Sequence, residues 1–265
     1  MTTLTKHHGL GNDFLVAFHP GVEDLPALAR RLCHRTTGVG ADGLLVGERE
    51  PGYAARMVLY NADGSRAEMS GNGIRCFAQA LAARRGDLTP QTILTDAGPR
   101  RVELQATEDP RTLLATVDLG PVGELAEPDG WAAIGADPHR PVAHLDLGNP
   151  HTVVGVDDVA AVDLLTLGRQ LPQVNLEVIE PGPEPDAITM RVHERGAGIT
   201  QACGTGAAAA AWAAARWGLV DAGVEELVVH MDGGSARVAL HRPEPGRVTL
   251  TGPATFVATI EVPIS

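Results

Sequence analysis

Two short runs in this chain set a small nucleophilic side chain directly before a glycine-rich segment: Ser70-Gly71-Asn72-Gly73 and Cys203-Gly204-Thr205-Gly206. Alanine-rich stretches follow, Cys76 to Arg84 and Ala207 to Arg216, and alanine is the strongest helix former. The pattern predicts helices over 71–84 and 204–217, with Gly86 and Gly218 as their C-terminal stops. The first N–H groups of a helix lack intrahelical partners, and the helix dipole adds partial positive charge there. Such an end can bind a carboxylate without arginine, and it lowers a thiol's pKa so that thiolate is favoured. Two such ends across one ligand would suit chemistry at the carbon next to a carboxylate. One group removes the α-proton and the other returns a proton to the opposite face. Fixed dipoles stabilise the carbanion-like transition state. No cofactor is required in principle.

The elements that must position these runs repeat. Gly11-Asn12-Asp13-Phe14 recurs as Gly148-Asn149-Pro150-His151. Asn61 precedes Ser70 by nine positions, and Glu194 precedes Cys203 by the same nine. Asp96-Ala97-Gly98 before Arg101-Val102 matches Asp232-Gly233-Gly234 before Arg237-Val238, and Leu119-Gly120-Pro121 matches Thr251-Gly252-Pro253. The same order at similar spacings reads as an internal duplication. The halves are 1–121 and 122–265, with the last strand free to pack back on the N-terminal half. Val122 to Arg140 reads as connection, and Glu180 to Asp186 as a loop. Strands are predicted at 55–60, 91–95, 101–105 and 113–119, then at 142–147, 152–156, 188–192, 227–230, 236–240 and 247–250. Further helices are predicted at 25–32 and 164–171. The fold class is α+β: two pseudo-symmetric domains, each a mixed or antiparallel sheet around a central helix, with the active site in the cleft between them.

Composition narrows the classes. The 265 residues are 44% apolar but only 3% aromatic, with a net charge of −12. That balance argues against nucleic acid and against an anionic membrane as partners. No apolar run reaches the roughly 20 residues of a membrane span, and no signal peptide is visible at the start. Three cysteines, Cys33, Cys76 and Cys203, suggest no disulfide framework and fit a reducing cytoplasm. The single lysine, Lys6, lies in the expected first strand without a phosphate-binding context, which argues against pyridoxal phosphate. His7, His8, His34, His139 and His193 show no metal-ligand spacing, so no metal is expected.

Seven segments resemble those of the diaminopimelate epimerases: Gly9 to Phe14, Gly38 to Gly43, Asn61 to Ser65, Ser70 to Cys76, Gly148 to His151, Glu194 to Gly198 and Ala202 to Gly206. The resemblance runs from about Lys6 to Pro253. It implies a two-domain epimerase that interconverts LL- and meso-diaminopimelate without cofactor, a step feeding lysine and cell-wall synthesis. It implies Cys203 as one acid/base residue, and it places Ser70 where the family has the other cysteine. The amides of Gly71, Asn72, Gly204 and Thr205 would hold the α-carboxylate. Asn12, Asn61, Asn149, Asn175, Glu194 and Arg195 would contact the substrate, with Arg195 on its distal carboxylate and Glu194 and the asparagines on ammonium groups. A homodimer is one option for the assembly. Gly43 has no assigned role.

Ser70 breaks the pattern. A hydroxyl is a far weaker acid than a thiol, and it is no useful base without an activating neighbour. A helix end stabilises an anion by only about 0.3–2 kcal/mol, under roughly two pKa units. Ordinary two-thiol epimerisation should therefore be impaired or altered. The alternatives are another amino-acid racemase, a one-base isomerase or dehydratase of the same fold, and an amino-acid-binding protein that has lost catalysis. Cys76 is a poor substitute for Ser70, since six residues along a helix add about 9 Å of rise and about 240° of rotation. Plainer readings stand beside these. Ser70 is a good N-cap. Cys33 and Cys76 read as buried and inert. Gly38-Val39-Gly40 makes a turn. His151 positions substrate, assists Cys203, or is a satisfied structural histidine; the residues leave the three readings open. Glu194 and Arg195 could be solvated surface charges.

Overall fold

Each predicted central helix forms, and each is buried almost throughout. The computed structural model describes residues 1–221, 223–241 and 246–263. Two compact units make up the chain: Met1–Asp118 with Gly252–Ser265, and Leu119–Thr251.

The first unit contains β1 (Thr2–Gly9), β2 (Asn12–Phe18), α1 (Leu25–Cys33), β3 (Gly43–Glu48), β4 (Ala55–Asn61), β5 (Arg66–Ala67), α2 (Gly71–Arg85), β6 (Gln91–Thr95), β7 (Gly98–Ala106) and β8 (Thr112–Pro121). The second contains β9 (Gly123–Glu124), β10 (Val142–Asp146), β11 (Pro150–Gly155), α3 (Leu164–Gln170), β12 (Asn175–Pro181), β13 (Ala187–Glu194), β14 (Gly198–Ile199), α4 (Gly204–Trp217), β15 (Glu226–Met231), β16 (Gly234–His241) and the start of β17 (Arg247–Val262). Residues of β17 from Thr255 on pair with β1 in the first unit.

The duplication is a duplication of pairing. In the first unit β1 and β2 form a hairpin, β2 runs parallel to β3, β3 antiparallel to β4, and β4 parallel to β6. In the second unit β10 and β11 form the hairpin, β11 runs parallel to β12, β12 antiparallel to β13, and β13 parallel to β15. Parallel neighbours need a crossover, and α1 and α3 supply it at equivalent places.

The central helices are core elements rather than surface ones. α2 packs on β1, β2, β3, β4 and β7, and α4 on β10 to β13, β15 and β16. Every residue from Ala207 to Ala211 is fully buried. Small side chains let strands close in around such a helix, and one apolar on all sides must be buried. Both helices end as expected. Gly86 and Gly218 take left-handed conformations, φ 79° and 72°, and their N–H groups donate to Ala82 O and Ala214 O.

The two-residue strands β5, β9 and β14 were not predicted, nor were three longer ones, β2, β3 and β12. Each of the longer three is buried on both faces and enters a parallel pair, so its sequence lacks the period-two alternation of a half-exposed strand. The connection over 122–140 also contains the short strand β9 and a 3₁₀ turn at Trp131–Ile134.

Candidate active site

The two helix starts are near copies. Ser70 caps α2 with φ −140° and ψ 122°, and its Oγ accepts from Gly73 N at 3.0 Å. Cys203 caps α4 with φ −126° and ψ 115°, and its Sγ accepts from Gly206 N at 3.3 Å. The cap uses the third amide in each case. The first two, on Gly71 and Asn72 and on Gly204 and Thr205, are the amides expected to hold a carboxylate, since helix geometry gives them no internal acceptor.

The side chains around these starts differ. In the first unit a chain of hydrogen bonds leads from a buried cation to an ion-pair cluster. Arg75 is wholly buried and donates to Asn72 Oδ1 at 2.8 Å, to Gly71 O at 3.1 Å and to Pro253 O at 3.3 Å. Asn72 Nδ2 donates to Asn12 Oδ1 at 3.1 Å, and Asn12 Nδ2 to Asp42 Oδ2 at 2.8 Å. Asp42 pairs with Arg35, which also pairs with Asp13, and Lys6 completes the cluster on Asp13. Burial would raise the Asp13 carboxyl, but hydrogen bonds from Arg35 and Lys6 outweigh it and hold the group below the usual carboxylate range. Asn61 stands apart from this chain, with its amide on Ser65 Oγ. Among the described residues, the partner of Ser70 Oγ is the Gly73 amide, and no neighbour activates the hydroxyl.

In the second unit the surroundings are acidic. Cys203 is 5% exposed, and burial pushes its thiol well above the ordinary range, with the charges of Glu194 and Glu177 adding to the rise and the Gly206 N–H opposing it. This overturns the expectation of a lowered pKa, because desolvation plus two carboxylates outweighs one helix end. Thr205 Oγ1 lies 3.7 Å from the sulfur and accepts from Asn149 Nδ2 at 3.1 Å. Asn149 Oδ1 lies 3.0 Å from His151 Nε2, and His151 Nδ1 lies 2.7 Å from Glu177 Oε1. Asn175 accepts from the Arg195 amide and donates to Pro150 O. Thr200 donates to Glu194 Oε1. Glu194 and Arg195 are half-buried rather than freely solvated. Cys203, Thr205, Asn149 and His151 thus form one hydrogen-bonded group, and Asn175 holds the main chain at Arg195.

Sequence reasoning missed Glu177, Asp42 and Arg75. Glu177 carried a signal: it is the one charged residue in the apolar run Leu176 to Ile179, and such a charge inside a buried strand needs a partner. A Cβ at Gly206 would lie 2.6 Å from Glu177 Oε1 and 3.2 Å from Cys203 Sγ, so a larger residue there would have to displace one of them. Cys33 and Cys76 are buried, and burial pushes both thiols up to about 12. Among the described residues no cluster of His, Cys, Asp and Glu is arranged to hold a metal, and no helix is long and apolar enough to cross a membrane.

The family model described as diaminopimelate epimerase matches residues 4–124 and 144–257. The chain belongs to the diaminopimelate epimerase family. Relatives of that name include one from Desulfitobacterium hafniense, 36% identical over 96% of this chain and 95% of its own length. Another from Thermosynechococcus vestitus is 39% identical over 97% of this chain and 98% of its own. Among solved structures, a predicted epimerase from Pseudomonas aeruginosa superposes with a TM-score of 0.79 at 17% identity, covering 100% of both chains. A probable proline racemase from Agrobacterium radiobacter reaches 0.74 at 17% identity, covering 100% of this chain and 94% of its own. Those two likenesses show the fold alone, which the chain shares with both structures.

Proposed function

We propose that this chain epimerises LL-diaminopimelate to meso-diaminopimelate without a cofactor, in the cytoplasm, by moving a proton at the α-carbon. The observation that carries the reading is the Cys203 cap: a buried thiol on a helix start, beside Glu194 and the Asn149–Thr205 pair. In this reading the first-turn amides of α2 and α4 hold the α-carboxylate, and Arg195 takes the distal carboxylate as a bidentate partner. Glu194 takes an ammonium group. That ammonium offsets the negative field of Glu194 at Cys203, so the thiol yields its proton more readily once substrate is bound. Cys203 and Ser70 then serve opposite faces of one α-carbon.

Ser70 is the weak member of the pair. Ser70 Oγ accepts from the Gly73 amide and has no base beside it among the described residues, so inversion is slower than with a thiol at that position. The same observation favours a second reading, in which Cys203 exchanges the α-proton on one face without inversion. Incubation of LL- and meso-diaminopimelate in deuterated water, with proline as a control substrate, separates them. Exchange with inversion supports epimerisation, exchange with retention supports one-base chemistry, and silence toward both isomers excludes the proposed substrate.

A further inference from the structure

Four of the asparagines expected to meet substrate or carboxylate, Asn12, Asn72, Asn149 and Asn175, are hydrogen-bonded through their side chains, and a carboxamide offers different chemistry depending on which way round it lies. Three are fixed by partners that can only donate or only accept. Asp42 accepts, so Asn12 meets it with Nδ2; Arg75 donates, so Asn72 meets it with Oδ1. Asn175 lies between the Arg195 N–H and the Pro150 carbonyl. Asn149 is different. Its partners are His151 and Thr205, and either can donate or accept.

We propose that Glu177 is a positioning residue of the reaction, fixing the Asn149 carboxamide through His151. Glu177 and His151 are both 0% exposed, their contact is 2.7 Å, and Glu177 Oε2 has no partner among the described residues. The carboxylate therefore spends its one side-chain contact on holding the His151 ring through Nδ1. On the other edge of the ring Asn149 turns Oδ1 toward Nε2 at 3.0 Å, and an amide oxygen only accepts, so Nε2 carries the hydrogen of that contact. Nε2 then donates to Asn149 Oδ1. Asn149 is held with Nδ2 on Thr205 and its second N–H available to an oxygen of the substrate. The Thr205 hydroxyl proton is in turn available to Cys203 Sγ. On this account Asn149 reads a carboxylate oxygen rather than the ammonium group expected from sequence.

Of the other charged and titratable groups on the strands around α4, His193 on β13 keeps a buried Nδ1 without a hydrogen-bond partner among the described residues, and Arg191 on β13 lies against Asp232. His144 on β10 bonds Thr152, His230 on β15 bonds Glu184, and Arg237 on β16 pairs with Glu226. Glu194 on β13 acts on the thiol directly.

The inference rests on Asn149 contacting substrate, and its first test needs none. Nitrogen-15 NMR of histidine-labelled protein at pH 7, assigned against His151→Gln, should show a hydrogen on His151 Nε2; a bare Nε2 overturns the proposal whatever the protein turns over. Glu177→Gln can offer Nδ1 either a donor or an acceptor. It should leave the Nε2 hydrogen only partly present and lower kcat/KM for LL-diaminopimelate about ten-fold, mostly through KM. A Glu177→Gln protein that loses thermal stability but keeps the Nε2 signal and the KM shows a structural role only and also overturns it. Absence of turnover by the unmodified protein tells against the proposed substrate and leaves the NMR result standing.

Discussion

The starts of α2 and α4 share a backbone and differ in charge. Behind Ser70 lies a buried cation, Arg75, with a chain of amides leading to Asp42. Behind Cys203 lie two carboxylates and a histidine. A duplicated helix cap can therefore diverge in the charge packed behind it while the main chain keeps the same cap. Fixed dipoles come with the backbone, but the side chains packed behind it decide whether a thiol there is acid or base.

The largest effect expected from this contrast is at Cys203. Cys203→Ala should lower α-proton exchange by about 10³-fold or more, within the range for a general acid–base group. Ser70→Ala should cost far less, because a hydroxyl without an activating base contributes little. Equal losses at both positions would mean that Ser70 has a base not accounted for here. Ser70→Cys should sharpen the symmetry in the other direction. It is expected to raise the inversion rate about 10²-fold, read by following meso-diaminopimelate formation; an unchanged rate would show that the hydroxyl is not the limiting group.

The buried chain in the first unit predicts a stability effect. Arg75→Met leaves Gly71 O, Asn72 Oδ1 and Pro253 O without this donor. It should cost about 3 kcal/mol, at roughly 1–3 per stranded polar group, measured as a lower urea midpoint. A cost near zero would mean that these acceptors find other donors.

The smallest effect is in pH dependence. Burial lowers the pKa of His7, His144 and His193, so their charged forms are disfavoured in the fold. The stability they contribute is complete above the unfolded value of about 6.5 and is lost as pH falls below it. The melting temperature should fall by about 2–4 °C between pH 7.5 and 5.5, and His7→Gln should reduce that fall. A rise in melting temperature over the same interval would reverse the sign.

Much of this was legible in the sequence because it was written twice. The matched runs at Ser70 and Cys203, their helices and their glycine stops came from spacing and residue type alone. The strands buried on both faces were illegible, since Leu44-Leu45-Val46 carries no alternation to read. The same blindness hid the supporting shell. Glu177, Asp42 and Arg75 act through contacts between residues far apart in the chain, which only a fold defines. The thiol was misread for a related reason: the helix end is local and visible, whereas the burial that overrides it is tertiary.

The most direct test of the central claim is α-proton exchange in deuterated water, followed by NMR on LL- and meso-diaminopimelate. The unmodified chain, Ser70→Cys and Cys203→Ala would be measured side by side. Exchange at the α-carbon is expected from the unmodified protein, faster inversion from Ser70→Cys, and loss of exchange from Cys203→Ala. Exchange that survives Cys203→Ala would contradict it, as would silence from both the unmodified protein and Ser70→Cys.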